Sequence, residues 1–157
     1  MAISTKYTCT KCDFQGSAFK TWGAHYYLDE DREITINRKM ALCYGCKSIS
    51  TAEVLPQNDH PNYPDYEQRR ELLADRVSPA RCLQCGSHDF EFIPNVEPDK
   101  EKLKLGLPYR TGLIHRNCGG RIYADDSGPN LFMGNRLPRM YFTKEGELIR
   151  KEEKIVE

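Results

Sequence analysis

With 157 residues, 39% of them hydrophobic and 29% charged, the chain has room for one ordinary domain or two small ones but only a modest apolar reserve. Lobes that small need a cross-link or a metal to hold together. Twenty-three basic and twenty-three acidic residues cancel, so global charge points to neither nucleic acid nor a membrane surface as partner.

The opening residues run into Cys9 without the apolar stretch of a signal peptide, and no segment has the length of a membrane span. A soluble chain in the reducing cytoplasm is expected. In chain order, residues 6–55 read as a β-rich region. Segment 24–28 is a strand candidate. Beyond the acidic turn at 29–31, segment 33–37 alternates polar and apolar residues as a half-buried strand does. Residues 48–55 offer another short strand. Residues 56–64 carry three prolines and turn-forming side chains, a loop. Asp65 is placed as the N-cap of a helix over 66–77, with Leu72, Leu73 and Val77 as its narrow apolar stripe and Pro79 beyond its end. Strands are expected at 90–93, 113–115 and 121–123, with a charged exposed loop over 94–108. A hairpin at 140–149 turns at Glu145-Gly146, and the charged end 151–157 is expected to fray.

The chemistry-bearing residues fall in four pairs with a two-residue spacer: Cys9 and Cys12, Cys43 and Cys46, Cys82 and Cys85, His115 and Cys118. That spacer lets one tight turn aim two donors at a common point about 2.3 Å from each sulfur, and two such turns complete a tetrahedron. Seven cysteines in spaced pairs fit metal ligation better than a disulfide framework, which favours even counts behind a secretory signal. A redox pair would want a βαβ setting. Iron suits an all-thiolate site, whereas the histidine favours zinc, so two Zn2+ per chain are expected. His115 matches the spacing of the other pairs; His88 or a water is the alternative fourth ligand. His25 and His60 read as ordinary histidines. Glycines after Cys85 and Cys118 suit the positive φ such a knuckle demands.

Two pairings are open. Sequential pairing groups Cys9, Cys12, Cys43 and Cys46 apart from Cys82, Cys85, His115 and Cys118. A cross-brace joins the first pair to the third. The helix and loop between Cys46 and Cys82 favour the sequential scheme. The fold expected is small, metal-stabilised and β-rich (α+β), two zinc-ribbon lobes joined by a short helix. Its divisions are residues 1–58, a linker over 59–80, and residues 81–157 with a C-terminal hairpin.

Segment 81–86, with its Cys82 and Cys85 knuckle, and the Cys118-Gly119-Gly120 run resemble the zinc-ribbon superfamily with its rubredoxin-like knuckles. Segment 78–82, His115 with Cys118 and the late hairpin also resemble a group of uncharacterised small bacterial double-zinc-ribbon proteins, a resemblance that implies no activity. Asp13 and Lys47 depart from the usual knuckle, standing where glycine is common.

Four protein ligands leave a zinc ion no position for an activated water, and no nucleophile with its base, phosphate loop or cofactor fingerprint is present, so no enzymatic activity is expected. Asp125-Asp126 reads as a solvated turn. Two binding roles are open. A protein-binding adaptor or regulator fits the neutral charge and the supply of nine tyrosines, with Trp22, Phe132 and Met133. Tyr26, Tyr27 and Phe92 among the aromatics sit in strand patterns and read as core residues instead. A nucleic-acid-binding role fits Lys100, Lys102, Lys104, Arg110, Arg116, Arg121, Arg136 and Arg139, with Tyr109 and Tyr123 to stack on bases. Such cations also suit the neighbourhood of negatively charged thiolate sites.

Overall fold

Alternating apolar and polar residues form short strands throughout the computed structural model, which describes residues 2–3, 5–17, 23–94, 101, 104–105, 107–126, 130–131 and 136–155. The first half supplies β1 (Ala2–Ile3), β2 (Lys6–Cys9), β3 (Gln15–Ser17), β4 (Ala24–Asp29), β5 (Arg32–Thr35), β6 (Arg38–Cys43) and β7 (Ser48–Glu53). A short helix, α1 (Tyr66–Leu72), is followed by β8 (Phe90–Phe92), β9 (Tyr109–Ile114), β10 (Arg121–Asp125), β11 (Asn130–Leu131), β12 (Arg136–Phe142) and β13 (Leu148–Ile155).

The sheets join segments far apart in sequence. Hairpins β2–β3 and β9–β10 meet along β2 and β10, with Cys9 opposite Ile122 and Lys6 opposite Asp125, in the order β3-β2-β10-β9. Hairpin β6–β7 takes β8 against β6, in the order β7-β6-β8. Hairpin β12–β13 lays β12 parallel to β4, in the order β13-β12-β4-β5. A last pair, β1 and β11, lies apart from these sheets.

The division into a lobe over 1–58 and another over 81–157 does not match this assembly. One core joins Tyr7, Leu42 and Ile49 to Leu113, Ile122 and Ala124. The other joins Tyr27, Ile34 and Ile36 to Leu73, Leu83 and Phe142. Each draws on both ends of the chain, because no single hairpin has enough apolar surface to close a core alone. The β6–β7–β8 unit is therefore inserted in sequence between the two hairpins of the β3-β2-β10-β9 sheet.

Helix α1 is not a bridge between lobes and is shorter than the sequence pattern predicts. Asp65 stands at its N-cap as expected, and its carbonyl accepts the Arg69 N–H at 2.9 Å, but its side chain makes no capping bond: the backbone is left-handed at φ 64°, and the carboxylate accepts the Thr35 N–H at 2.8 Å. Leu73 is buried but Val77 is exposed, since the chain leaves the helix to carry Arg76 inward. There Arg76 Nη1 lies 2.5 Å from Glu53 Oε2 and Nη2 2.8 Å from Oε1, both side chains almost wholly out of solvent. The Arg81 N–H and the Tyr27 hydroxyl also donate to Glu53. A second buried pair pins the proline-rich loop, with Arg69 Nε donating to Asp59 Oδ2 at 2.7 Å and Nη2 to Oδ1 at 2.8 Å. Close hydrogen-bonded partners allow such charges to be buried.

The late hairpin turns at Gly146 as expected. Its φ is +84°, and a Cβ there would stand 2.5 Å from Glu53 Oε1. The end does not fray from 151: β13 pairs with β12 as far as Ile155 opposite Arg136. Asp126 is no solvated turn residue either, since it accepts from Thr5 Oγ1 at 2.6 Å and from the Tyr109 hydroxyl at 2.7 Å.

Candidate metal centres

Each knuckle is a tight turn at the end of a hairpin or a strand, and the same backbone bonds recur. The Cys82 N–H donates to Ser87 O at 2.8 Å and the Gly86 N–H to Cys82 O at 2.8 Å. The His115 N–H likewise donates to Gly120 O at 2.7 Å and the Gly119 N–H to His115 O at 2.7 Å. His115 thus occupies the position that Cys82 holds in its own knuckle. Gly86 and Gly119 adopt φ of +79° and +73°, and Lys47 takes the same left-handed region at φ 53° without being glycine. Asp13 has no positive φ, so its departure from glycine carries no strain.

The pairing is neither sequential nor cross-braced. Cys9, Cys12, His115 and Cys118 form one group and Cys43, Cys46, Cys82 and Cys85 the other, the donor atoms of each within 4.8 Å of one another. The first pair meets the fourth because β2 pairs with β10, and the second meets the third because β6 pairs with β8. His88 belongs to neither group; its Nδ1 lies 3.1 Å from Ala80 O.

The spacing fits a tetrahedral ion of zinc's size. Such an ion, with sulfur bonds of about 2.3 Å, sets its sulfurs roughly 3.8 Å apart and a nitrogen slightly closer. Cys9 and Cys118 sulfurs are 3.4 Å apart, Cys43 and Cys85 sulfurs 3.5 Å, and His115 Nδ1 lies 3.3 Å from both Cys12 and Cys118 sulfurs. Nδ1 is therefore the donor nitrogen. Backbone N–H groups of Lys11, Cys46 and Gly120 point at Cys9, Cys43 and Cys118 sulfurs at 3.4–3.5 Å, yet burial still pushes the Cys43 thiol up. Burial raises the Cys9 thiol, but the N–H of Lys11 and the Cys118 thiol outweigh it and bring it down to about 6.

The groups differ in depth. Cys43 and Cys82 are buried, and the Ser50 hydroxyl lies 3.0 Å from the Cys82 sulfur. In the other group only His115 is buried, with Phe14 and Tyr44 rings 5.2 and 6.0 Å from its imidazole.

Among the described residues the basic segment does not form one free patch. Arg116 is committed to Asp89 at 2.5 Å and to the Tyr44 ring, and Arg139 interacts with Tyr141. Arg110 and Arg121 are exposed on the β9–β10 hairpin, where Arg110 Nε donates to the Tyr123 hydroxyl at 3.2 Å. Lys104 is exposed too. Lys100, Lys102, Trp22, Phe132, Met133 and the Arg136 side chain lie outside the described residues. Tyr27 is buried as expected, whereas Phe92 faces solvent beside Phe90. His25, read as ordinary, is buried, with no hydrogen-bond partner for Nδ1 among the described residues. No described helix is long and apolar enough to cross a membrane. Comparison with family models, curated proteins and solved structures finds no match for the chain.

Proposed function

We propose that the protein is a nonenzymatic adaptor or regulator in which two zinc ions, one in each four-donor group, hold sheets that present a surface to a protein partner. The observation that carries this reading is the completeness of both donor sets, since four protein ligands leave a tetrahedral ion no open position for chemistry. Neutral overall charge and exposed Leu105, Leu107, Ile114, Leu148 and Ile149 support a protein partner over a polyanion.

A second reading rests on the outward face of the β3-β2-β10-β9 sheet. Gln15, Thr8, Tyr123 and Arg110 follow one another across its four strands, flanked by Arg121 and Lys6. A cationic sheet face with a half-exposed tyrosine suits single-stranded nucleic acid.

Elemental analysis of the purified chain tests the scaffold, with two zinc equivalents expected and one or none contradicting it. Titration with fluorescent single-stranded and duplex oligonucleotides across a salt series tests the partner. No binding at low salt is expected if the partner is a protein. Binding that weakens steeply with salt, and weakens further in Arg121→Ala, replaces the first reading with the second.

A further inference from the structure

The Tyr44 side chain links the two metal groups. Tyr44 belongs to the Cys43 and Cys46 knuckle, yet its ring lies nearly parallel to that of His115, a donor of the other group, at 6.0 Å and 11°. Four contacts hold it there. The Tyr44 N–H donates to Asp89 O at 2.9 Å, and its hydroxyl accepts the Arg116 N–H at 3.1 Å and donates to Glu91 Oε1 at 3.2 Å. The Arg116 guanidinium covers the ring at 3.9 Å and reaches Asp89 at 2.5 Å. Arg116 is the residue after His115, and Asp89 and Glu91 follow the Cys82 and Cys85 knuckle.

A ligand imidazole must be held in one orientation for its nitrogen to meet the metal, and groups that hold it there carry a large share of the affinity. Here that support is shared between Phe14 of its own group, at 5.2 Å, and Tyr44 of the neighbouring group's knuckle. The knuckle has little reason to keep its shape without ligation, since Lys47, the residue after Cys46, sits in a left-handed conformation that non-glycine residues disfavour. We infer that Tyr44 is a positioning residue for His115 and that the two ions are therefore bound and released as a coupled pair. This rests on the zinc reading above. By linkage, each ion strengthens binding of the other by the same factor.

The test is graded chelation of the full-length, zinc-loaded chain, repeated with cobalt, whose absorption distinguishes a four-sulfur from a three-sulfur, one-nitrogen site. Wild type is expected to release both ions in one transition. Tyr44→Leu should release the Cys9, Cys12, His115 and Cys118 ion at chelator strengths about 10- to 100-fold lower, leaving a plateau at one equivalent. Tyr44→Phe, which keeps the ring, should stay nearer wild type. Should Tyr44→Leu fail to fold, Arg116→Gln alters only an exposed side chain and should shift the same ion in the same direction. Two independent steps in wild type, or release unchanged by either variant, overturn the coupling. A folded wild type holding no metal overturns the zinc reading itself, and that outcome is read on the unmutated chain alone.

Discussion

The two metal groups are built from the same turns but stand in different surroundings. The four-cysteine group has two thiols inside the protein, backed by Ser50 and the β6–β7 hairpin. The histidine-bearing group has three thiols at or near the surface, and its one buried donor is enclosed by aromatic rings. One group therefore depends on burial and the other on support from its neighbour. A ligand's worth follows from what its loss would leave behind, not from its chemical type.

The sharpest way to break this comparison is to remove one sulfur from each group. Binding of a structural zinc supplies on the order of 10 kcal/mol, comparable with the whole stability of a small domain. Cys82→Ala should abolish the cooperative thermal transition, because it leaves a cavity, a vacated ligand position and Ser50 without its sulfur partner. Cys12→Ala, at the surface, should lower Tm but retain a transition, since solvent can supply the missing donor. Calorimetry checks both. Equal losses would mean that depth does not matter.

A smaller effect is expected from two glycines that face the opposite knuckle. A Cβ on Gly45 would stand 2.4 Å from Ser87 Cβ, and one on Gly120 would stand 2.5 Å from the Cys9 sulfur. Gly45→Ala and Gly120→Ala should each cost about 1–3 kcal/mol by overpacking. Site-resolved cobalt spectra should show each weakening its own group first.

The eight candidate donors that the fold gathers into two groups of four were legible because a two-residue spacer has few other uses. Their grouping was not. It depends on β2 finding β10 and β6 finding β8, pairings that no local pattern announces. Topology rules favour neighbours, and this chain inserts one sheet between the two hairpins of another. Charged residues were silent in a similar way. Nothing in the sequence pattern singles out Glu53, Asp59, Arg69 and Arg76, but their buried pairs end the helix early and fix the proline-rich loop. Tyr44 was invisible as a support for His115, since nothing in sequence joins residues so far apart.

The smallest prediction separates acid release of metal from an unrelated titration. Burial, aided by Arg38, pushes His25 down to about 3, so it is neutral in the folded protein. The unfolded chain takes up that proton below about pH 6.5, so this stabilisation is complete above 6.5 and is lost as pH falls towards 3. His25→Leu should therefore have a shallower loss of stability over that window than wild type, measured by denaturant titration at each pH with zinc content followed in parallel. A parallel pair of curves would remove His25 from the acid response.

The most direct measurement of the grouping is alkylation of individual thiols, read by mass spectrometry, in Cys46→Ala at saturating zinc. Intact four-donor groups shield their sulfurs. Reaction of Cys82 and Cys85 ahead of Cys9 and Cys12 is the result expected of the inserted arrangement. Prompt reaction of Cys9 and Cys12 while Cys82 and Cys85 stay shielded would contradict it.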